Sequence, residues 1–128
     1  MAKPAKPAKS EDPTPFVPLA PAPLHIVLAL NRGERHGYGI IKEVEYLSDG
    51  VIKMGPGSLY GSIKKLVAQG LIEESDVRPD PALDDERRKY YRLTGLGRAV
   101  CAAELERLTN LVARTQRPAA ARLLGGLA

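Results

Sequence analysis

The run from Gly55 to Gly70 constrains the fold more than any other stretch of this chain. It reads as one short helix with both ends marked. Pro56 suits the first helical position, where its missing N–H is not needed. Gly70 suits the residue just past the end, where a left-handed backbone is usual. Leu59, Ile63, Leu66 and Val67 repeat at i, i+4, i+7 and i+8, the spacing of a buried helical face. The opposite face carries Ser58, Gly61, Ser62, Lys65 and Gln69, with Tyr60 and Lys64 on its flank. That face is small, polar and cationic, and it has no carboxylate. Two readings fit it. One is an amphipathic surface helix with a lysine-rich solvent side. The other is a helix shaped to lie in a DNA major groove.

The totals narrow the setting. A chain of 128 residues, 44% of them hydrophobic, allows one modest domain with a small core. The net charge of +4 suits a polyanionic partner without requiring one. Cys101 is the single cysteine, so no internal disulfide forms, as expected of a reducing compartment. No apolar run approaches the roughly 20 residues of a membrane span. Prolines interrupt the N-terminal lysines, which leaves no apolar core for a signal peptide. The expectation is a soluble, cytoplasmic protein with no membrane partner.

Along the chain, residues 1–15 are Ala, Lys and Pro followed by small polar residues, a composition expected to form a disordered tail. Phe16 to Pro23 is an apolar, proline-rich lead-in. Pro21 or Pro23 can open a helix through Leu30 that is apolar on nearly all sides and therefore central. Residues 31–35 read as a loop. Ile40, Ile41, Val44 and Leu47 make a second helical stripe, ended by Ser48-Asp49-Gly50. Val51 to Met54 is β-prone. After Gly70, residues 71–77 and 87–93 read as two strands joined by a polar loop, a β-hairpin. In the second strand Tyr91 and Leu93 share one face, with Arg88, Tyr90 and Arg92 on the other. Thr94 is a fair N-cap for a last helix to about Gln116. Cys101, Leu105, Leu108, Val112 and Thr115 are spaced 4, 3, 4 and 3 along it, a short heptad seam.

The order helix, helix, short strand, helix, hairpin, long helix is that of a winged helix-turn-helix domain. The fold is expected to be mainly α with a small β-hairpin, plus a long C-terminal dimerisation helix. Val51 to Met54 is expected to join the hairpin as its third strand. The expected divisions are 1–15 tail, 16–94 winged helix domain, 95–117 dimerisation helix and 118–128 flexible tail.

His36-Gly37-Tyr38-Gly39-Ile40, Gly55 to Tyr60, Leu66 to Ile72 and Arg87 to Arg98 stand in order at fitting intervals. Together they resemble the HGY-x-I, G-[ST]-L-Y, L-x-x-x-G-[LW]-[IV] and R-x-K-x-Y-x-L-T-x-x-G motifs of PadR-like regulators. The resemblance covers about Leu24 to Gln116. Gly61 and Gly95 depart from it, standing where many relatives have proline. The resemblance implies a homodimeric transcription factor, usually a repressor, of the branch with a single dimerisation helix. It also implies a DNA operator as partner and, as in some relatives, a small-molecule effector that releases DNA.

For DNA contact the candidates are Tyr38, Ser58, Tyr60, Ser62, Lys64, Lys65, Arg87, Arg88 and Lys89. Ser58 and Tyr60 hydroxyls suit phosphates near a helix N-terminus. Ser62 and Lys65 sit where base edges lie, with Lys65 to guanine the leading contact. Tyr38 matches a family tyrosine that faces the backbone; a half-buried core tyrosine fits it equally. Asp80, Asp84, Asp85 and Glu86 make the hairpin loop acidic, so phosphate contact is assigned to the strand base at Arg87, Arg88 and Lys89. Leu105, Leu108 and Val112 are the dimerisation candidates. His25 is expected in the core or an interface, and His36 at a helix start. Neither has ligand spacing to other donors, so no metal is expected. No phosphate-binding glycine motif appears, Ser58 has no base beside it, and neither a cofactor nor an enzyme is expected. The alternative is a winged helix that binds protein and has no specific DNA site.

Overall fold

The computed structural model describes residues 11–76 and 89–116. After the 3-10 turn Thr14–Phe16, the elements are α1 Pro21–Asn31, β1 Arg35–His36, α2 Gly37–Leu47, α3 Pro56–Ala68, β2 Ile72–Ser75, β3 Tyr90–Leu93 and α4 Gly95–Thr115. The strands form an antiparallel sheet in the order β1-β3-β2. This is the winged helix architecture, mainly helical with a small sheet.

α1 is central, as its all-round apolarity requires. Ile26, Val27, Ala29 and Leu30 are buried, and the helix touches α2, α3, α4 and β3. Ile40 and Val44 of α2, Leu59, Ile63 and Leu66 of α3, Tyr91 and Leu93 of β3, and Val100 and Cys101 of α4 close around it. Each fully buried aliphatic side chain contributes roughly 1.5–3 kcal/mol relative to exposure.

The third strand is not where the sequence suggests. Val51 to Met54 forms no strand, because the end of α2 already holds the N–H groups of Val51 and Ile52. Gly50 N–H donates to Glu45 O (2.8 Å), Val51 N–H to Ser48 O (3.0 Å) and Ile52 N–H to Ser48 Oγ (2.9 Å). Arg35 and His36, expected in a loop and at a helix start, pair with Tyr91 and Tyr90 instead. Two side chains hold this short strand. Arg35 Nε donates to Ala29 O (3.1 Å), and the His36 ring meets Tyr90 edge-on at 5.2 Å. Tyr90, on the face opposite Tyr91, is therefore buried as well.

Both ends of α4 bear on function. Its start is fastened to the end of α3. Thr94 Oγ1 donates to Gly70 O (2.6 Å) and accepts from Gly97 N–H (3.0 Å), while Thr94 N–H donates to Leu71 O (3.1 Å). The end of α3 is itself locked: Gly70 and Leu71 N–H donate back to Val67 O and Leu66 O, both at 3.0 Å, with Gly70 at φ +79°. A Cβ on Gly97 would lie 1.9 Å from Leu71 O, so only glycine permits this approach. Further along, Gly97, Val100, Cys101 and Glu104 face the core. Cys101, assigned to the heptad seam, is thus a core residue of its own chain. Beyond it Leu105, Leu111 and Val112 are 42%, 51% and 50% exposed, and Leu108 is half-buried.

Candidate nucleic-acid interface

α3 sets the site. Gly55 takes the N-cap position, and no side chain caps the helix there. No acidic residue occupies the first turn. The partial positive charge of the helix start is therefore left for an external anion. Leu59, Ile63 and Leu66 hold the helix down, while Gly57, Ser58, Gly61, Lys64 and Lys65 face outward. Val67, expected in the buried face, is 43% exposed. It lies at the helix edge, beside the sheet rather than under it.

Two grooves border this outward ridge. On the wing side Tyr60, Ile63, Lys64 and Val67 face Glu73, Glu74 and Tyr91 across a groove of about 430 Å³. On the other side Ser62, Lys65 and Gln69 face Pro15, Phe16 and Pro18 across a cleft of about 380 Å³. Lys64 and Lys65 thus point to opposite flanks. Ser62 is half-buried and reaches the cleft rather than the crest of the ridge.

The tyrosines are joined through Gly37. The Tyr60 hydroxyl lies so close to Gly37 that a Cβ there would sit 2.1 Å from it. Tyr38 follows in the chain and is 62% exposed, which removes the core reading. Lys42, which the sequence reading missed, sits over the Tyr38 ring with Nζ 5.7 Å from its centre. The i, i+4 spacing on one helix was the available signal. His36 Nδ1 accepts from Gly39 N–H (3.1 Å) and so caps α2, as its place in the sequence suggests. His25 instead makes a local bond, Nδ1–H to Pro21 O at 2.7 Å.

Two ion pairs cross the described part of the wing base. Glu73 pairs with Arg92 at 2.8 Å and Glu74 with Lys89 at 3.4 Å, across the two strands. Lys89 therefore reaches a phosphate only by exchanging an exposed carboxylate partner, an exchange of small cost. Glu73 holds the Arg92 guanidinium above its ordinary pKa. Burial, together with Tyr60 and Glu74, pushes the Tyr91 phenol up, so it stays protonated. Arg87, Arg88 and the acidic loop lie outside the described residues.

One buried charge was not anticipated. Glu104 is fully buried, accepting from Leu19 N–H (2.7 Å) and Arg107 Nε (2.6 Å). Burial alone raises its pKa. The Arg107 hydrogen bond, the Leu19 N–H and the Arg107 charge outweigh that and hold the carboxyl below the usual glutamate range. Among the described residues no group of three or more His, Cys, Asp or Glu could hold a metal ion, and no helix is long and apolar enough to cross a membrane.

The profile of the "Transcriptional regulator PadR-like family" matches residues 26–103. An uncharacterized 37.1 kDa protein in transposon TN4556 of Streptomyces fradiae is 31% identical over 93 residues, covering 73% of this chain and 24% of that protein. The chain thus spans about a quarter of the relative it matches. Bacillus subtilis PadR in complex with operator DNA superposes with a TM-score of 0.54 at 24% identity, over 69% of this chain and 47% of the other. Bordetella bronchiseptica BpsR, whose DNA binding is regulated by 6-hydroxynicotinic acid, gives 0.60 at 22% identity, over 90% and 75%. Structural likeness at these identities establishes the fold.

Proposed function

This chain belongs to the PadR-like family of transcriptional regulators, and from that premise we propose that it binds a roughly palindromic DNA operator as a homodimer and represses transcription. The observation that carries the reading is α3: an uncapped helix start, outward lysines and no carboxylate on a ridge that none of the described residues covers. Ser58 and the helix start take a phosphate, and Tyr38 with Lys42 takes another. Lys65, then Ser62, reach base edges from the flank of the ridge, with Lys64 on the opposite flank. Arg87, Arg88 and Lys89 add phosphate contacts from the wing base.

Residues 16–94 form the reading unit and 95–117 the dimerising helix, with Leu105, Leu108 and Val112 across the seam. Pro15 and Phe16, which wall the cleft beside Ser62 and Lys65, belong with the reading unit rather than with a tail. In such a dimer the two α3 helices read half-sites about 34 Å apart. A small-molecule effector that lowers DNA affinity completes the proposal; BpsR is a structural neighbour whose DNA binding is regulated by 6-hydroxynicotinic acid.

Selection from a random duplex library tests the reading. A recovered motif with two-fold symmetry, bound with steep salt dependence, is the expected result. The Glu73–Arg92 and Glu74–Lys89 pairs favour the second reading, a protein-interaction module. Recovery of no motif, with binding absent at every salt concentration, would decide for that module.

A further inference from the structure

Pro13, Pro15, Pro18, Pro21 and Pro23 leave the segment before α1 with few N–H groups to fasten it. Thr14 N–H donates to Asp12 Oδ1 (3.0 Å), Phe16 N–H to Pro13 O (2.9 Å) and Val17 N–H to Thr14 O (3.4 Å), all within the segment. Leu19 N–H behaves differently. It crosses to α4 and donates to Glu104 Oε2 at 2.7 Å. At the other end Glu11 lies against the start of α4, where a Cβ on Gly95 would be 3.0 Å from its Oε2. The segment is thus a strap that meets α4 at Gly95 and at Glu104, about 14 Å apart along that helix.

The same strap forms one wall of the cleft beside α3. Pro15, Phe16, Pro18 and Leu19 face Ser62, Lys65 and Gln69 across it. Leu19 therefore belongs both to the wall and to the bond with Glu104. Lys65 makes no ion pair among the described residues. On this flank the wall is what limits the directions open to its side chain. A reading side chain discriminates well only when its neighbours hold its rotamers.

Glu104 is fully buried, and a buried ion pair adds little stability over apolar residues of the same volume. What it supplies is two acceptors with fixed directions. Oε2 takes the Leu19 N–H, and Oε1 takes Arg107 Nε at 2.6 Å. We propose that Glu104 is a positioning residue for DNA reading: through Leu19 it sets the strap, and the strap sets the range of Lys65. The inference rests on the DNA-binding reading above and deepens it, tying base choice on α3 to a carboxylate on α4 that itself touches no DNA.

The test uses the full chain and the duplex that it selects from a random library. Two variants release the strap. Glu104→Gln keeps the size but leaves one acceptor for two donors. An ester oxygen in place of the Leu19 N–H keeps every side chain and removes the one bond, and it decides the case if Glu104→Gln does not fold. In the free protein, the side-chain NMR signals of Phe16 and Lys65 should move, while those of Lys64, on the opposite flank, should stay. Affinity for the parent's duplex should fall roughly tenfold with the salt slope unchanged, and reselection should give a motif with a relaxed position in each half-site. In a Lys65→Ala background the same release should change affinity by no more than about twofold. A loss of equal size in both backgrounds is what a merely structural role gives, and it would overturn the proposal. Unmoved Lys65 signals, or an unchanged affinity and motif in the ester variant, would overturn it equally. A parent that selects no duplex removes the DNA reading and the positioning role with it; that failure is distinct because it appears before any substitution.

Discussion

Among the described residues, α3 and α4 each leave one face uncovered, and the two faces differ in kind. On α3 the open ridge is glycine, serine and lysine, with an uncapped helix start above it. On α4 the exposed large apolar residues are Leu105, Leu111 and Val112, with Leu108 half-buried. Each helix uses its other face for the same purpose, packing on the shared core around α1. The difference teaches what each open face suits. A polar cationic ridge is stable in water alone and gains from a polyanion. An apolar stripe gains only when another apolar surface removes it from water.

The comparison is broken most severely where the two helices meet. Gly97→Ala puts a methyl group into Leu71 O and should cost on the order of 4 kcal/mol or prevent folding, lowering both functions together. Thermal unfolding measures it; a Gly97→Ala protein as stable as the parent would mean the α3–α4 junction is not tight. Next in size, Leu105→Glu with Leu108→Glu should give monomers by sedimentation with little loss of monomer stability. Operator affinity should fall on the order of 100-fold, because the second half-site is no longer tethered. Sedimentation at dimer mass would move the seam elsewhere.

Lys64→Ala with Lys65→Ala is the converse. The dimer should persist while affinity drops roughly tenfold and the salt slope falls by about 2 per chain, if both lysines meet phosphates. A drop with no change of slope would instead point to base contacts. The smallest effect concerns α4's buried charge. Glu104's folded pKa is depressed, so its contribution to stability is complete above the ordinary value of 4.5 and is lost as pH falls through the lower folded value. Arg107→Ala removes the main opposition to burial, raises the Glu104 pKa, and should move the acid-unfolding midpoint to higher pH. No shift in that midpoint would mean the Leu19 N–H alone holds the charge.

What the sequence disclosed follows a physical rule. The bounds and buried face of α3 were legible, because Pro56, Gly70, Leu59, Ile63 and Leu66 act within one helix. The same holds for Thr94 as a cap, and for α1's centrality. What failed depends on distant partners. Val51 to Met54 has the right residue types for a strand, yet hydrogen bonds to Ser48 hold it, and the pairing goes to a two-residue segment near α1. Glu104 reads as a solvent charge until Leu19, 85 residues earlier, arrives to cover it. Ser62 changes meaning for the same reason, since Pro15, Phe16 and Pro18 face it across a cleft. Arg87 and Arg88 lie outside the described residues.

Thr94 and Gly97 join the start of α4 to the end of α3 as one bent rod. The 21 residues of α4 span about 31 Å. A tilt of about 5° at its far end therefore swings the α3 end by about 3 Å, close to the rise of one DNA base pair. In a pair of such rods, how the far ends cross fixes the distance between the near ends, as the pivot of a caliper fixes the gap between its jaws.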